Sequence, residues 1–231
     1  MWLDSPFLKG DADSGKIFTS AGITISNKIR REPMKDLLIF RHSIKESDGL
    51  LGEKGLALAK AQGANFHGIQ FDKLFHSILP RTMQTALAFV AGQISDGDHG
   101  RTWDLTIMGP IPEFGNEDLF NAITRPPKFR EVAKAKGNFL ATLELHDYAQ
   151  VQSWAIGALL GILLAFDELG QRKAGLAFTH SPILELALWA AGDYQPLRED
   201  LLVFPEMSGV HLEQNDRGQI RVGIKHNAPT L

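Results

Sequence analysis

The sequence contains no cysteine. That excludes disulfides and thiolate metal sites and fits a reducing compartment, with the cytoplasm as the expected location. It has no basic excess either. Lys and Arg number 24 against 27 Asp and Glu, the formal net charge is -3 and the pI about 6.2, so the electrostatic footprint of a nucleic-acid binder is missing. Long apolar runs are absent too. The greasiest stretch, Trp154 to Phe166, holds thirteen residues, short of the roughly 18 that span a bilayer. It is expected to be a buried helix in which Gly157 and Gly161 permit close packing, and no membrane partner is expected. The opening stretch, MWLDSPFLKGDADSGK, carries Asp4 early and lacks the continuous apolar core of a signal peptide. Internal repeats, low-complexity runs and interior linkers are also missing.

What remains is an ordinary globular composition, 44% apolar and 22% charged over 231 residues, enough for a proper core. The pattern alternates strands with helices. Leu37–Arg41 reads as a strand, followed by a helix over 53–66, a strand at Lys73–Ser77 and a helix over 80–92. In that second helix Met83, Ala86, Leu87 and Val90 lie at i, i+3, i+4 and i+7 and predict the buried face, with Pro80 in its first turn and Gly92 as its stop. A loop at 95–100 leads to a third strand over 102–108. The segment 109–127 is punctuated by Pro and Gly and predicts loop with a short helix. Helices over about 128–147 and 151–168 come next, then a strand, "AGLAFTH", ending at His180. A helix begins with Ser181 as N-cap and Pro182 in its first turn. "DLLVF" and a hairpin over 209–226, turning at "DRG", close the chain. A weak edge strand is conceivable over 16–27. This alternation predicts an α/β protein, a three-layer α/β/α sandwich around a mainly parallel sheet. One domain over 1–231 is expected, with a helical insert at about 95–170.

Two segments share one form. "LLIFRHS" and "GLAFTHS" are each an apolar strand, then histidine, then serine. If the strands are parallel neighbours, His42 and His180 meet at the sheet edge where such folds bind ligands. Arg41 adjoins the first, and Arg81 opens the helix after another strand. Two arginines, two histidines and a helix N-terminus suit a phosphate dianion. A neutral imidazole whose other nitrogen donates to a carbonyl has a free lone pair that can attack phosphorus. The arginines then stabilise the charge on the transferring group without a metal. The other histidines, 67, 76, 99, 146, 211 and 226, do not pair at metal-ligand spacing. Of these, His76 stands nearest Arg81 and could line the pocket.

At these residues the chain resembles the histidine phosphatase superfamily, the phosphoglycerate-mutase-like enzymes. The family's Arg-His-Gly appears as Arg41-His42-Ser43, its "LTEKGxxQA" as "LGEKGLALA", its "SSPLxRAxQTA" as "HSILPRTMQTA", and its "SHG" as Thr179-His180-Ser181. The four segments come in family order over residues 37–192. The resemblance implies a phosphomonoester phosphatase with a phosphohistidine intermediate on His42. Arg41, Arg81 and His180 then hold the phosphate, and no cofactor is needed. Ser43 stands where glycine is usual and could donate to the phosphate. The proton donor is expected near "IPEFGNED", with Glu113 first and Glu117 and Asp118 as rivals. Because Ser181 follows the second histidine, the acid-phosphatase branch, which has Asp there, is disfavoured. The Ser and Asn of the mutases' "RHGxSxxN" are missing after Arg41-His42, which favours a phosphatase over a mutase. Lys45 is either a solvated loop residue or a contact for a second anionic group. The expected partner is a small phosphorylated substrate. Alternatives are a phosphohistidine-protein phosphatase and a non-catalytic phosphate-binding regulatory protein; oligomeric state is not readable.

Overall fold

The computed structural model describes residues 35–94, 106–108, 111–171, 173–192, 204–215 and 218–225. All these elements belong to one compact unit, Glu32–Leu231. The weak strand expected at 16–27, the loop at 95–100 and most of "DLLVF" lie outside the described residues.

Apolar strands at the centre build a six-stranded sheet in the order β3-β2-β4-β1-β5-β6. The strands are β1 (Lys35–Arg41), β2 (Lys73–His76), β3 (Thr106–Ile107), β4 (Lys173–Thr179), β5 (Gly209–Gln214) and β6 (Ile220–Lys225). The first four run parallel, and β5 and β6 pair antiparallel at one side as the expected hairpin. Four consecutive apolar residues are needed in β1 because both its faces are buried. Leu37 and Ile39 face one core, whereas Leu38 and Phe40 face the other. Helices α1 (Glu53–Ala64) and α2 (Pro80–Gln93) cover the second face. Helices α5 (Asn138–Leu145), α6 (Tyr148–Glu168) and α7 (Ile183–Ala191) cover the first. The result is the three-layer α/β/α sandwich read from the pattern.

Three helical expectations need correction. First, α2 buries Thr82, Thr85, Ala86, Phe89 and Gln93, while Leu87 is 51% exposed. The inward threonines are tolerated because their hydroxyls bond carbonyls within the same helix, Thr82 to Leu79 and Thr85 to Arg81. Gly92 lies inside the last turn and does not stop the helix. A Cβ there would sit 1.9 Å from Lys60 O, and one at Gly63 would sit 1.9 Å from Phe89 O. The two glycines let the backbones of α1 and α2 approach closely. Second, the helix expected over 128–147 is split into α4 (Phe129–Lys136) and α5. Gly137, at φ 86°, ends the first and precedes the second. Third, α6 buries only one side. Val151, Ala155, Ala158, Gly161, Ile162, Ala165 and Phe166 face inward, while Ile156, Leu160, Leu163 and Leu164 are exposed. The whole 21-residue helix is long and apolar enough to cross a membrane, although its inward face is part of the core. Gly161 does give close packing, against the Glu113–Phe114 turn, but Gly157 faces open space.

Gly63→Ala should therefore cost about 1–3 kcal/mol of stability through overpacking, read as a lowered urea midpoint. Gly157→Ala should show no such loss. Equal stability of both variants would contradict the close approach of α1 and α2.

Candidate active site

Parallel pairing brings the chemistry together. In the β1–β4 ladder Arg41 lies opposite Thr179, and the pairing continues one step further as His42 N donates to Thr179 O at 2.9 Å. The imidazoles of His42 and His180 consequently meet edge to face, with centroids 4.8 Å apart. β2 pairs with the other side of β4, and Ser77 N donates to Phe178 O. Beyond Ser77 the chain enters α2, which starts at Pro80 with Arg81 next.

His42 is buried. Its Nδ1 lies 2.5 Å from Ser43 O. A carbonyl only accepts, so Nδ1 carries the proton and the neutral ring keeps its lone pair on Nε2. Arg81 Nε–H donates to that Nε2 at 3.3 Å. Burial pushes the His42 imidazolium down from 6.5 to about 3; the Ser43 bond opposes this, and Arg81, Arg41 and Lys45 add to it. The ring is thus neutral across the physiological range.

His180 is fully buried, with Nε2 2.6 Å from Ser77 Oγ. Its Nδ1 has no hydrogen-bond partner among the described residues. Burial holds it well below the usual imidazole range, and His42 and the nearby cations push the same way. Ser77 is fixed in turn by Thr82 Oγ1 and Leu79 N.

The arginines are braced differently. Arg81 is half-buried, and its guanidinium stands over the Phe120 ring at 5.6 Å. Burial lowers its pKa and the charge of Glu117 raises it. Arg41 donates to Phe204 O and to Glu206 Oε1, the latter at 2.8 Å. Met207, at φ 61°, occupies the left-handed region next to Glu206, and its N–H donates to Arg41 O. A strained residue so placed typically costs about 1–3 kcal/mol. Behind Arg41 lies Glu185, wholly buried and pushed up by burial. It accepts from Ser181 Oγ at 2.6 Å and from Phe204 N. Ser181 therefore serves this carboxylate and is not the expected N-cap; α7 starts at Ile183 after Pro182.

A cap closes over these groups. It consists of a 3₁₀ turn (Pro112–Phe114), α3 (Glu117–Thr124) and α4. Asn116 caps α3 by accepting from Leu119 N at 2.8 Å. Gly115, at φ 120°, lies against His180: a Cβ there would be 2.8 Å from the imidazole. The cleft between cap and sheet measures about 560 Å³. Arg41, His42 and Arg81 line it from the sheet side, and Phe120, Phe129 and Arg130 from the cap.

Arg41, His42, Arg81 and His180 come together as the sequence implied. Ser43 does not join them. Its hydroxyl donates to Gly55 O at 2.7 Å and its N–H to Thr85 Oγ1, so it ties the end of β1 to α1 and α2. His76 also stays out of the cleft, its ring nitrogen Nδ1 bonded to Ser77 O. Glu113 has its stem against Gly161 of α6; none of Glu113, Glu117 and Asp118 lines the cleft, but the charge of Glu117 reaches Arg81. Sequence reasoning missed Ser77, Glu206, Glu185 and Arg130. Ser77 was visible inside the quoted "HSILPR", whereas the others carry no motif.

No family model and no curated protein sequence matches the chain. Solved structures do. A phosphoserine phosphatase from Entamoeba histolytica, in complex with 3-phosphoglyceric acid, aligns over 84% of this chain and 98% of its own at 16% identity and a TM-score of 0.51. A protein from Escherichia coli K-12 designated an alpha-ribazole-5'-P phosphatase aligns over 84% and 97% at 17% identity, TM-score 0.53. The alpha-ribazole phosphatase of Shigella flexneri aligns over 84% and 96% at 15% identity, TM-score 0.50. The chain thus shares the fold of these phosphatases, a phosphoglycerate-mutase-like fold.

Two outcomes follow from the site's geometry. Ser43→Ala should cost stability of about 1 kcal/mol, the worth of one buried hydrogen bond, and leave affinity for inorganic phosphate unchanged; weakened phosphate binding would restore the serine to the site. The second concerns pH. Unfolded His42 titrates near 6.5 and folded His42 near 3. Between these values the unfolded chain binds the extra proton, so stability falls as pH drops from about 6.5 and is fully present above it. Urea midpoints measured from pH 7 to pH 4 should fall less steeply for His42→Gln. Parallel slopes would show that His42 is not buried in its neutral form.

Proposed function

We propose that this chain is a histidine phosphatase that hydrolyses small phosphomonoesters through a phosphohistidine on His42, without a metal. One observation carries the reading: Nδ1 of a buried neutral histidine is pinned by Ser43 O while its Nε2 faces the guanidinium of Arg81. The ring is held as a nucleophile, and the cation beside it is placed for the oxygens of the group under attack. Arg41 and the unpartnered His180 Nδ1 supply further contacts to the phosphoryl group.

In the first step Nε2 bonds to phosphorus as the ester P–O bond breaks, and the leaving oxygen takes a proton from a carboxylic acid. Water then attacks phosphorus, the N–P bond breaks and phosphate leaves; the proton lost by the water returns to the carboxylate. Glu117 is preferred to Glu113 as the acid on position alone, since its charge is felt at Arg81 while the stem of Glu113 is turned against α6. The cap favours a small substrate over a protein loop, because Phe120 and Phe129 line the same cleft as His42 from the cap side.

His42→Ala should abolish turnover of p-nitrophenyl phosphate and the acid-labile label left by a phosphorylated substrate, and EDTA should leave the parent's activity intact. Glu117→Gln should slow alkyl phosphates by roughly 10²–10⁴-fold and the aryl ester much less, because nitrophenolate leaves without a proton. Glu113→Gln should change neither. Full activity of His42→Ala would refute the mechanism, while an inert parent that still binds phosphate would point to the regulatory alternative.

A further inference from the structure

Two carboxylates serve Arg41, and they differ in kind. Glu206 lines the cleft, the one carboxylate to do so among the described residues. Its side chain is 37% exposed, whereas that of Arg41 is 14% exposed. Its Oε1 accepts from Arg41 Nη2 at 2.8 Å, and among the described residues its side chain has no other hydrogen bond or ion pair. Glu185, by contrast, is wholly buried. It accepts from Ser181 Oγ and from Phe204 N, and Phe204 O accepts from Arg41 Nη1. A single residue, Phe204, therefore links the buried carboxylate to the guanidinium, and the charge of Arg41 is felt at Glu185.

The backbone on either side of Glu206 is tied down. Met207 N donates to Arg41 O at 3.2 Å, Ser208 N and Oγ both donate to Pro205 O, and Arg41 N donates to Ser208 O at 2.8 Å. Rotation of the half-exposed Glu206 side chain is all that is needed to part it from Arg41. Phe204 O keeps its hold on Nη1 meanwhile.

A carboxylate and a phosphoryl group offer a guanidinium the same thing, oxygens for its fork. A phosphoryl dianion at His42 arrives beside Arg41, the preceding residue, and meets the charge of Glu206 there. Two anions on one edge of a guanidinium repel, so one of them gives way. We infer that Glu206 is a tethered competitor for phosphate. It satisfies Arg41 Nη2 while the cleft is empty, turns away when a phosphoryl group binds, and on returning favours departure of the inorganic phosphate formed. A cation that cannot discharge thus always has an acceptor, and Phe204 O, braced by Glu185, holds it in place through the exchange. The inference rests on the phosphatase reading for the placement of the phosphoryl group.

The test measures inorganic phosphate and vanadate on the parent, Glu206→Gln and Glu206→Ala, by calorimetry and as inhibitors of p-nitrophenyl phosphate turnover. Glu206→Gln leaves Arg41 an oxygen and removes the charge; Glu206→Ala removes both. Both variants should bind phosphate about fivefold more tightly than the parent, the upper worth of a partly exposed ion pair, and KM for p-nitrophenyl phosphate should fall with it. The gap between parent and variants should narrow as ionic strength rises. A residue that merely holds Arg41 in place gives a different pattern: Glu206→Gln binds phosphate as the parent does, and Glu206→Ala binds it less tightly. That pattern, or equal affinity in all three proteins, would overturn the inference. Calorimetry needs no turnover, so the two readings fail separately. An inert parent whose Glu206→Gln variant binds phosphate more tightly would sink the phosphatase reading and keep this one. An active parent whose variants bind phosphate no more tightly would do the reverse.

Discussion

Everything at the site depends on the register of β1 against β4. Seven residue pairs run in step from Lys35 opposite Lys173 to Arg41 opposite Thr179. His42 and His180 therefore leave the sheet side by side. The side-chain period of a strand is two, so a slip of one residue would turn one imidazole to the opposite face. The apolar alternation forbids it. Leu38 and Phe40 belong with α1 and α2, and Leu37 and Ile39 with α5 to α7. A slip would exchange whole faces between two cores of different composition. The geometry of two histidine rings is thus enforced by four aliphatic and aromatic residues that touch no ligand.

Burying imidazoles among cations opposes folding, and the surroundings show how this is met. Both rings stay uncharged. His42 is held by a carbonyl and His180 by a serine hydroxyl. Arg41 is different, because guanidinium cannot discharge. It needs permanent acceptors, and it finds Glu206 and Phe204 O in the stretch just before β5. That stretch is itself kinked through Met207. The antiparallel edge of the sheet is therefore more than a lid on β1: it brings the counter-charge for the first arginine of the site.

Strands, their direction and the sheet edge were legible because buried strands are apolar and their ends are abrupt. Arg41, His42, Arg81 and His180 were legible because each lies within a few residues of such an end. Ser43 misled because a hydroxyl beside a histidine at a strand end looks like a donor to ligand; only the position of Gly55 O shows where its proton goes. The choice among Glu113, Glu117 and Asp118 was not legible because spacing along a loop does not say which way a side chain turns; Gly161, nearly fifty residues on, leaves the space that takes the stem of Glu113. The face of α2 was misread because threonines that bond their own helix can replace apolar residues inside. In α6 the composition is apolar all round, so no periodicity could reveal which side is exposed. Glu206 and Arg130 have no local signal: one answers Arg41 from 165 residues away, and the other depends on how a cap folds back.

The seating of that cap separates two tasks. It is fixed by missing side chains. Gly115 lets the loop before α3 lie against the His180 ring, and Gly161 lets Glu113 and Phe114 lie against α6. Thr179 Oγ1 adds a bond to Phe114 O at 2.7 Å. The anchors stand on β4, at its end and on α6, and none of them is on α4. The helix that carries Arg130 and Lys134 is bounded at its far end by Gly137, so its outward residues can change without disturbing the loop that touches His180. Arg41 and His42 belong to the sheet edge, whose register tolerates almost no change. Arg130 and Lys134, which line the cleft from the cap, belong to a short surface helix, where substitution costs little. On the proposed phosphatase reading, a fold built this way keeps one reaction at His42 while the cap shapes which phosphoester reaches it.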